Sequence, residues 1–197
     1  MIVYYRIMRH KDENKNEAIF QATIQLLNEI GFSNISMSKI AKRANVSSST
    51  IYVYFDNKED MLGKLYMNVK QKLSANVLAG VNDLMPVKSA FELVIRNQID
   101  FLINHKDEFL FLEQFSNSPL IQILCLEDTA PMFQSLIDLV NRGKKEKLLK
   151  ERDPLMLLMQ VHAPISGLVK MHLNDEFRLD EKNIEELIEM IWDAIKA

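Results

Sequence analysis

The sequence predicts an all-α protein built from two helical modules. Apolar residues recur three or four positions apart through most of the chain, as at Ile19, Ala22, Leu26 and Ile30, and this spacing is typical of amphipathic helices. The 197 residues include only five glycines and five prolines, so few turns are forced. A hydrophobic content of 48% is enough for a proper core. We therefore expect long helices arranged in one or two domains.

Residues 14–60 are predicted to form a three-helix module, preceded by an N-terminal arm over residues 1–13. The first helix is expected from about Asn14 to Ile30, where Gly31 ends it. Two shorter helices follow, and a tight turn joins them. Because a short helix pair of this kind can place its second helix in the DNA major groove, the module is predicted to read DNA.

The turn between the two short helices is indicated by its residue types. Ser36 and Ser47 belong to a class that caps helix N-termini, so each is expected to begin a helix. Asn45 tolerates a left-handed backbone and ends the first of the two. The second is expected over Ser48–Tyr54, with small hydroxyl side chains at its start and tyrosines at its end. Small side chains allow close approach to bases and phosphates, and tyrosine hydroxyls reach the DNA backbone.

The charge of the predicted DNA-binding segment supports the prediction of DNA binding, whereas the charge of the whole chain does not. The whole chain has a formal net charge of −3, which by itself does not suggest nucleic acid as a partner. The segment from Ser36 to Lys58, however, contains four basic residues and only one acidic residue. The basic residues are Lys39, Lys42, Arg43 and Lys58. The basic footprint of a DNA-binding protein is often confined to one segment in this way.

The same segment resembles the N-terminal domain of tetracycline-repressor (TetR) type transcriptional regulators, over residues 17–62. The matching positions are Gly31-Phe32, Ser36, Ile40-Ala41, Ala44 to Ser47, Thr50 to Tyr52, Tyr54-Phe55, Lys58-Glu59 and Met61-Leu62. Asn45 stands where the family usually has glycine, and Lys39 where an acidic residue is common. The resemblance implies a repressor more often than an activator, and a homodimer that binds a palindromic operator.

The predicted DNA-binding residues combine the chemistry of this segment with the resemblance. The resemblance places Ser36 at the DNA backbone, and Lys58 follows the aromatic residues where a phosphate contact is expected. Helix capping or a solvated surface is the competing interpretation for several of these residues. The full set is Ser36, Lys39, Lys42, Ser47, Ser48, Ser49, Thr50, Tyr52, Tyr54 and Lys58.

Residues 61–197 are predicted to form a larger helical domain for ligand sensing and dimerisation. Its helices are expected from Lys58 towards Val81, and over residues 89–104, 107–115, 132–149, 153–173 and about 184–195, with a loop or short helix between Pro119 and Pro131. The segment from 153 to 173 is apolar nearly all round, so it must be covered on two sides. We expect the last two helices of one chain to pack against the last two helices of a second copy in a homodimer, as the resemblance also implies.

A ligand cavity is predicted among aromatic and methionine side chains, which adapt to irregular shapes. Packed core is the competing interpretation of the same residues. A helix kink at Pro164 is expected to open space beside two of them. The candidate ligand-binding residues are Phe101, Phe111, Phe115, Met156, Met159 and His162.

Other classes of function have little support in the sequence. The four histidines have no metal-ligand spacing, the single Cys125 excludes an internal disulfide, and no catalytic motif is present, so no enzyme, metal or cofactor is predicted. No signal peptide or membrane-spanning run is expected, and a cytoplasmic location fits. Two readings of regulation remain open: release from the operator by a small apolar or amphipathic ligand, or control by a protein partner.

Overall fold

The computed structural model describes residues 2–118 and 130–197, with side chains described for residues 15–118 and 131–197. These residues form nine α-helices and no β-strand, so the all-α prediction is confirmed. The helices are α1 (Ile2–Ile30), α2 (Met37–Arg43), α3 (Ser48–Tyr54), α4 (Lys58–Val77), α5 (Val87–Asn104), α6 (Lys106–Ser116), α7 (Gln134–Lys145), α8 (Pro154–Leu173) and α9 (Glu181–Ile195). A short 3₁₀ helix, Ala130–Phe133, precedes α7.

The chain divides into two compact units. The N-terminal unit contains α1, α2, α3, α4 as far as Val69, and α6 from Asp107. The C-terminal unit contains the rest of α4, together with α5, α7, α8 and α9. The functional boundary placed after residue 60 remains a prediction. Cys125 and most of the predicted segment between Pro119 and Pro131 lie outside the described residues.

The core of the N-terminal unit is apolar and well closed. The fully buried side chains include Ile19 and Leu27 of α1, Ile40 of α2, Ile51 of α3 and Met61 of α4. Burying such side chains is the main favourable term in folding. Each of the first four helices therefore contributes at least one anchor to a common core, which fixes the orientation of α2 and α3.

Helix α6 belongs to this unit through an aromatic cluster. The Phe115 ring stacks on Tyr66 of α4 with centroids 4.7 Å apart, and it meets Phe32 edge-on at 5.7 Å. On the polar side of the same helix, the Gln114 amide donates a hydrogen bond to the Asn28 side chain at 3.2 Å. The Asn28 amide in turn donates to the Asp107 carbonyl at 3.1 Å. Side chains on both faces of α6 thus bind it to the N-terminal unit.

In the C-terminal unit, α8 has two distinct rows of residues four positions apart. Leu157, Val161, Ile165 and Val169 form a buried row that packs into the unit's own core. Leu155, Met159, Ala163, Gly167 and Met171 form a second row that is exposed along its whole length. Residues four apart lie above one another on a helix, so each row is a continuous stripe. We call the second row the exposed α8 stripe.

Several helix ends differ from their predicted positions. Helix α1 begins at Ile2 rather than near Asn14, so the residues predicted as an arm continue the helix. Helix α7 ends at Lys145 rather than at Leu149, because Lys147 adopts a left-handed backbone (φ 58°). The Leu148 amide then donates back to the Gly143 carbonyl at 2.9 Å, which closes the helix. Helix α8 runs from Pro154 to Leu173 with Pro164 inside it.

Candidate nucleic-acid interface

Two serine caps fix the start of the short helices. The Ser36 hydroxyl accepts a hydrogen bond from the Lys39 amide at 3.4 Å, and the Ser47 hydroxyl accepts one from the Thr50 amide at 3.1 Å. Between the helices, Asn45 has a left-handed backbone with φ 54°. The capping residues and the left-handed asparagine predicted from the sequence are therefore confirmed. They set the angle at which α3 leaves the turn.

Helix α3 has one buried face and one exposed face. Ile51 is completely buried, and Thr50 and Tyr54 are half-buried beside it. Ser48, Ser49, Tyr52 and Val53 are exposed, with Tyr52 and Val53 at 57% and 78%. Because the core holds the opposite face, these four side chains are presented outward on a fixed helix. This is the arrangement that a recognition helix requires.

All ten residues predicted to bind DNA lie in the N-terminal unit, on α2, α3, their caps and the first residue of α4. Their hydroxyl groups are linked: Ser47 lies 2.8 Å from both the Ser49 and the Thr50 hydroxyls. The Lys39 ammonium donates to the Asn34 carbonyl at 2.7 Å. Lys58 begins α4 and is half-buried. A row of hydroxyls flanked by lysines is suited to phosphate contacts and to close approach to bases.

Arg43 forms an ion pair with Glu29. Its guanidinium forms two hydrogen bonds to the Glu29 carboxylate, at 2.8 and 2.5 Å. These hydrogen bonds lower the pKa of Glu29 and raise the pKa of Arg43, although both groups are solvent-exposed. Lys42 on the same helix is exposed and forms no ion pair with another described residue. Of the two neighbours, we therefore expect Lys42 to bind DNA more readily.

This difference predicts unequal effects of two matched substitutions. We expect Lys42→Ala to reduce the slope of log affinity against log salt by about one per protomer, because one phosphate contact is lost. Arg43→Ala should reduce the slope by less, since Arg43 already pairs with Glu29 instead of with a phosphate. Fluorescence anisotropy with one DNA duplex over a series of salt concentrations measures both. Equal changes in slope for the two variants would show that Arg43 leaves Glu29 to bind DNA.

Sequence reasoning missed Val53 as a candidate contact. The spacing of the sequence indicates this position, because Val53 lies four residues after Ser49 and therefore on the same side of α3. Valine has no polar group, however, so a search for hydrogen-bonding side chains does not select it. Its exposure shows that it is not part of the core.

The six predicted ligand-binding residues divide between the two units. Phe111 and Phe115 are buried in the N-terminal unit, where they belong to the aromatic cluster. Phe101 is buried in the C-terminal unit and stacks on His105 with centroids 4.3 Å apart. Met159 lies on the exposed α8 stripe, and Met156 beside it is also exposed. Their role as a ligand site stays a prediction.

His162, the sixth, has a defined polar environment in the C-terminal unit. The buried Gln98 amide lies 2.6 Å from its Nδ1 atom, and donation by that amide places the ring proton on Nε2. Surrounding protein atoms desolvate the ring and lower its pKa, and the positive charge of Lys70 lowers it further. The His162 ring is therefore harder to protonate than an ordinary histidine, and Gln98 engages one of its nitrogens.

Among the described residues of the C-terminal unit lies an open groove of about 430 Å³. It is lined by Leu78, Val81, Asn82, Asp83, Ser135, Asp138, Leu139 and Arg142, and by none of the predicted ligand-binding residues. No three His, Cys, Asp or Glu side chains come together as metal ligands in the ranges the structure describes. Likewise, none of the helices in these ranges is long and apolar enough to cross a membrane.

Comparison with known proteins places this geometry in a family. Residues 19–65 match the model for bacterial regulatory proteins of the tetR family, and residues 86–196 match the model for a tetracyclin repressor-like C-terminal domain. A Haemophilus influenzae protein described as an uncharacterized HTH-type transcriptional regulator is 26% identical over 190 residues, covering 96% of this chain and all of that protein.

Solved structures give the same result over nearly the whole chain. A TetR family transcription regulator from Marinobacter aquaeolei is 27% identical, with a TM-score of 0.85 over 95% of this chain and 98% of that one. The regulator FadR from Bacillus subtilis, solved in complex with stearoyl-CoA, shares the fold at 21% identity, with a TM-score of 0.75 over 91% of this chain and 98% of that one. The two family models cover both the DNA-reading helices and the C-terminal helices, so the chain belongs to the TetR family of transcriptional regulators.

Proposed function

We propose that the protein is a cytoplasmic homodimeric repressor that binds a palindromic operator through α3. The observation that carries this proposal is the exposed face of α3, fixed by the buried Ile51 and flanked by lysines. Members of this family are transcription regulators and not enzymes, so the protein is not an enzyme. In the proposed complex the two α3 helices enter successive major grooves, about 35 Å apart.

The exposed α8 stripe supports the dimer. Its five residues are all apolar, and Leu155 and Met159 are 59% and 52% exposed in the single chain. An uninterrupted apolar surface of this kind usually marks an interaction site. At its centre lie Ala163 and Gly167, and a methyl group added at Gly167 would meet no atom within 4 Å. Small residues at the middle of a row four apart allow a second helix to approach closely and interdigitate.

Selection of bound genomic fragments with the purified protein tests the proposal directly. We expect recovered fragments to share an inverted repeat whose half-sites are centred about one turn of DNA apart. The control is the same selection with a protein in which Ser48 and Ser49 are both replaced by glutamate, which should recover no common motif. A set of wild-type fragments with no shared motif would contradict sequence-specific binding.

Within the interface, we expect phosphate contacts and base contacts to be separable. Lys58→Ala and Tyr54→Phe should weaken binding to all DNA to a similar extent, and Lys58→Ala should also reduce the salt slope. Substitutions at Ser48, Ser49 or Thr50 should instead change which operator is preferred. Affinity measured for specific and random duplexes over a range of salt distinguishes the two classes. A change of sequence preference in Lys58→Ala with an unaltered salt slope would reverse these assignments.

For the signal, we propose a small apolar or amphipathic ligand. The candidates in the C-terminal unit are Phe101, Met156 and His162, because Met159 belongs to the exposed α8 stripe that we propose for the dimer. The Gln98 amide and the His162 ring, 2.6 Å apart, would supply polar groups to such a ligand. The fold neighbour FadR holds stearoyl-CoA, so a chain of this fold can accommodate an amphipathic molecule. Control by a protein partner is the alternative, and a C-terminal unit that binds no small molecule would favour it.

A ligand that acts as an inducer must obey thermodynamic reciprocity. If it weakens operator binding by a given factor, the operator must weaken ligand binding by the same factor, typically 5- to 150-fold. Once a ligand is found by thermal shift, its affinity is measured with free protein and with operator-bound protein. We expect weaker binding to the operator-bound form. Equal affinities would show that the ligand does not control release.

A further inference from the structure

The recognition helix lacks the side chains that usually identify bases. The seven residues of α3, SSTIYVY, include no Arg, Lys, Asn, Gln, Asp or Glu. Paired hydrogen bonds to guanine come from Arg or Lys, and paired hydrogen bonds to adenine come from Asn or Gln. The exposed hydroxyls of Ser48 and Ser49 donate or accept equally well and so discriminate weakly. Helix α3 therefore needs another source of sequence information.

Val53 is the exposed aliphatic side chain of α3 that offers one. It is 78% exposed, more than Tyr52 at 57%, while Ile51 beside them is fully buried. Ile51 therefore anchors α3 in the core, and Val53 is not needed for that packing. A β-branched residue is also less favourable than alanine in a helix, so an exposed valine is not explained by helix stability. It lies one turn after Ser49, on the face that carries the exposed serines.

We propose that Val53 packs against the C5-methyl group of a thymine in each operator half-site. Valine cannot hydrogen-bond to a base or to a phosphate, and the thymine methyl is the apolar group that base pairs display in the major groove. The inference rests on the proposed DNA-binding function and extends it to a base identity. The pair facing Val53 is A·T, and the methyl group, rather than the hydrogen-bonding pattern, is what Val53 recognises.

Replacing thymine with uracil removes only this methyl group and leaves base pairing intact. Starting from the operator obtained by selection, each thymine of the half-site is replaced in turn by deoxyuridine, symmetrically in both half-sites. We expect one position at which wild-type affinity falls about fourfold per half-site, the value for burying one methyl group. Val53→Ala should lose most of that discrimination. Because the valine side chain is exposed, this variant should remain fully folded.

Gln25→Ala on α1 is the control, since it alters an exposed residue of the same unit that lies outside the proposed DNA-binding set. It should keep the uracil penalty at the position that depends on Val53. Specific binding with no uracil-sensitive thymine, or a penalty of the same size in Val53→Ala, would overturn the methyl contact while leaving DNA binding intact. Failure to bind any DNA specifically would overturn the proposed function and this inference with it.

Discussion

Ala163→Arg should convert the protein to a monomer and reduce its operator affinity by at least about 100-fold. Ala163 is the central residue of the exposed α8 stripe, with Met159 one turn before it and Gly167 one turn after. A long charged side chain at this point would have to be buried without a partner when a second copy approaches. The cost of burying an unpaired charge is large enough to prevent association.

Operator affinity should fall because a monomer can bind only one of the two half-sites at a time. Two half-sites bound by one dimer act as a bivalent pair, which exceeds the affinity of either half by about 10² to 10⁴. The fold of the single chain should be unaffected, because Ala163 is exposed and the buried row of α8 is untouched. Size-exclusion chromatography with light scattering gives the oligomeric state, and anisotropy with a full operator gives the affinity.

Ala75→Arg on α4 is the control for charge, size and helix position, since Ala75 is also an exposed helical alanine. It should remain a dimer with nearly wild-type operator affinity. If Ala163→Arg stayed dimeric at micromolar concentration, the exposed α8 stripe would not be the dimer surface, and another face of the C-terminal unit would have to be considered.

The sequence predicts the DNA-reading helices more closely than the rest of the fold. Local signals determine them: the Ser36 and Ser47 hydroxyls bond to amides three residues later, and Asn45 adopts the left-handed backbone expected of it. Such interactions depend on neighbours in the chain. The start and end of α3 are therefore predicted to the residue.

Features that depend on long-range packing were harder to predict. The grouping of α6 with the N-terminal unit depends on contacts such as Phe115 with Tyr66, which no local pattern reveals. The same limitation applies to the ligand site. Phe111 and Met159 are both apolar residues at helical spacing, yet one is completely buried and the other is 52% exposed. Periodicity identifies an apolar face but not the surface that covers it.

Phe115→Ala should lower the free energy of unfolding by about 3 to 5 kcal/mol, the usual cost of removing a buried phenylalanine ring. Phe115 is 1% exposed, and its ring contacts Tyr66 at 4.7 Å, Phe111 at 5.5 Å and Phe32 at 5.7 Å between centroids. Its removal leaves a cavity bordered by three aromatic rings. Core neighbours usually relax only partially into such a space, so we expect part of the cavity to persist.

Urea denaturation followed by circular dichroism measures the loss, at one fixed protein concentration because the proposed dimer would add to the apparent stability. Tyr52→Ala is the matched control: it also removes an aromatic ring, but one that is 57% exposed. Surface substitutions of that kind usually change stability by no more than about 0.5 kcal/mol. The difference between the two variants isolates the contribution of burial. A Phe115→Ala protein as stable as Tyr52→Ala would show that the aromatic cluster does not hold α6 in the N-terminal unit.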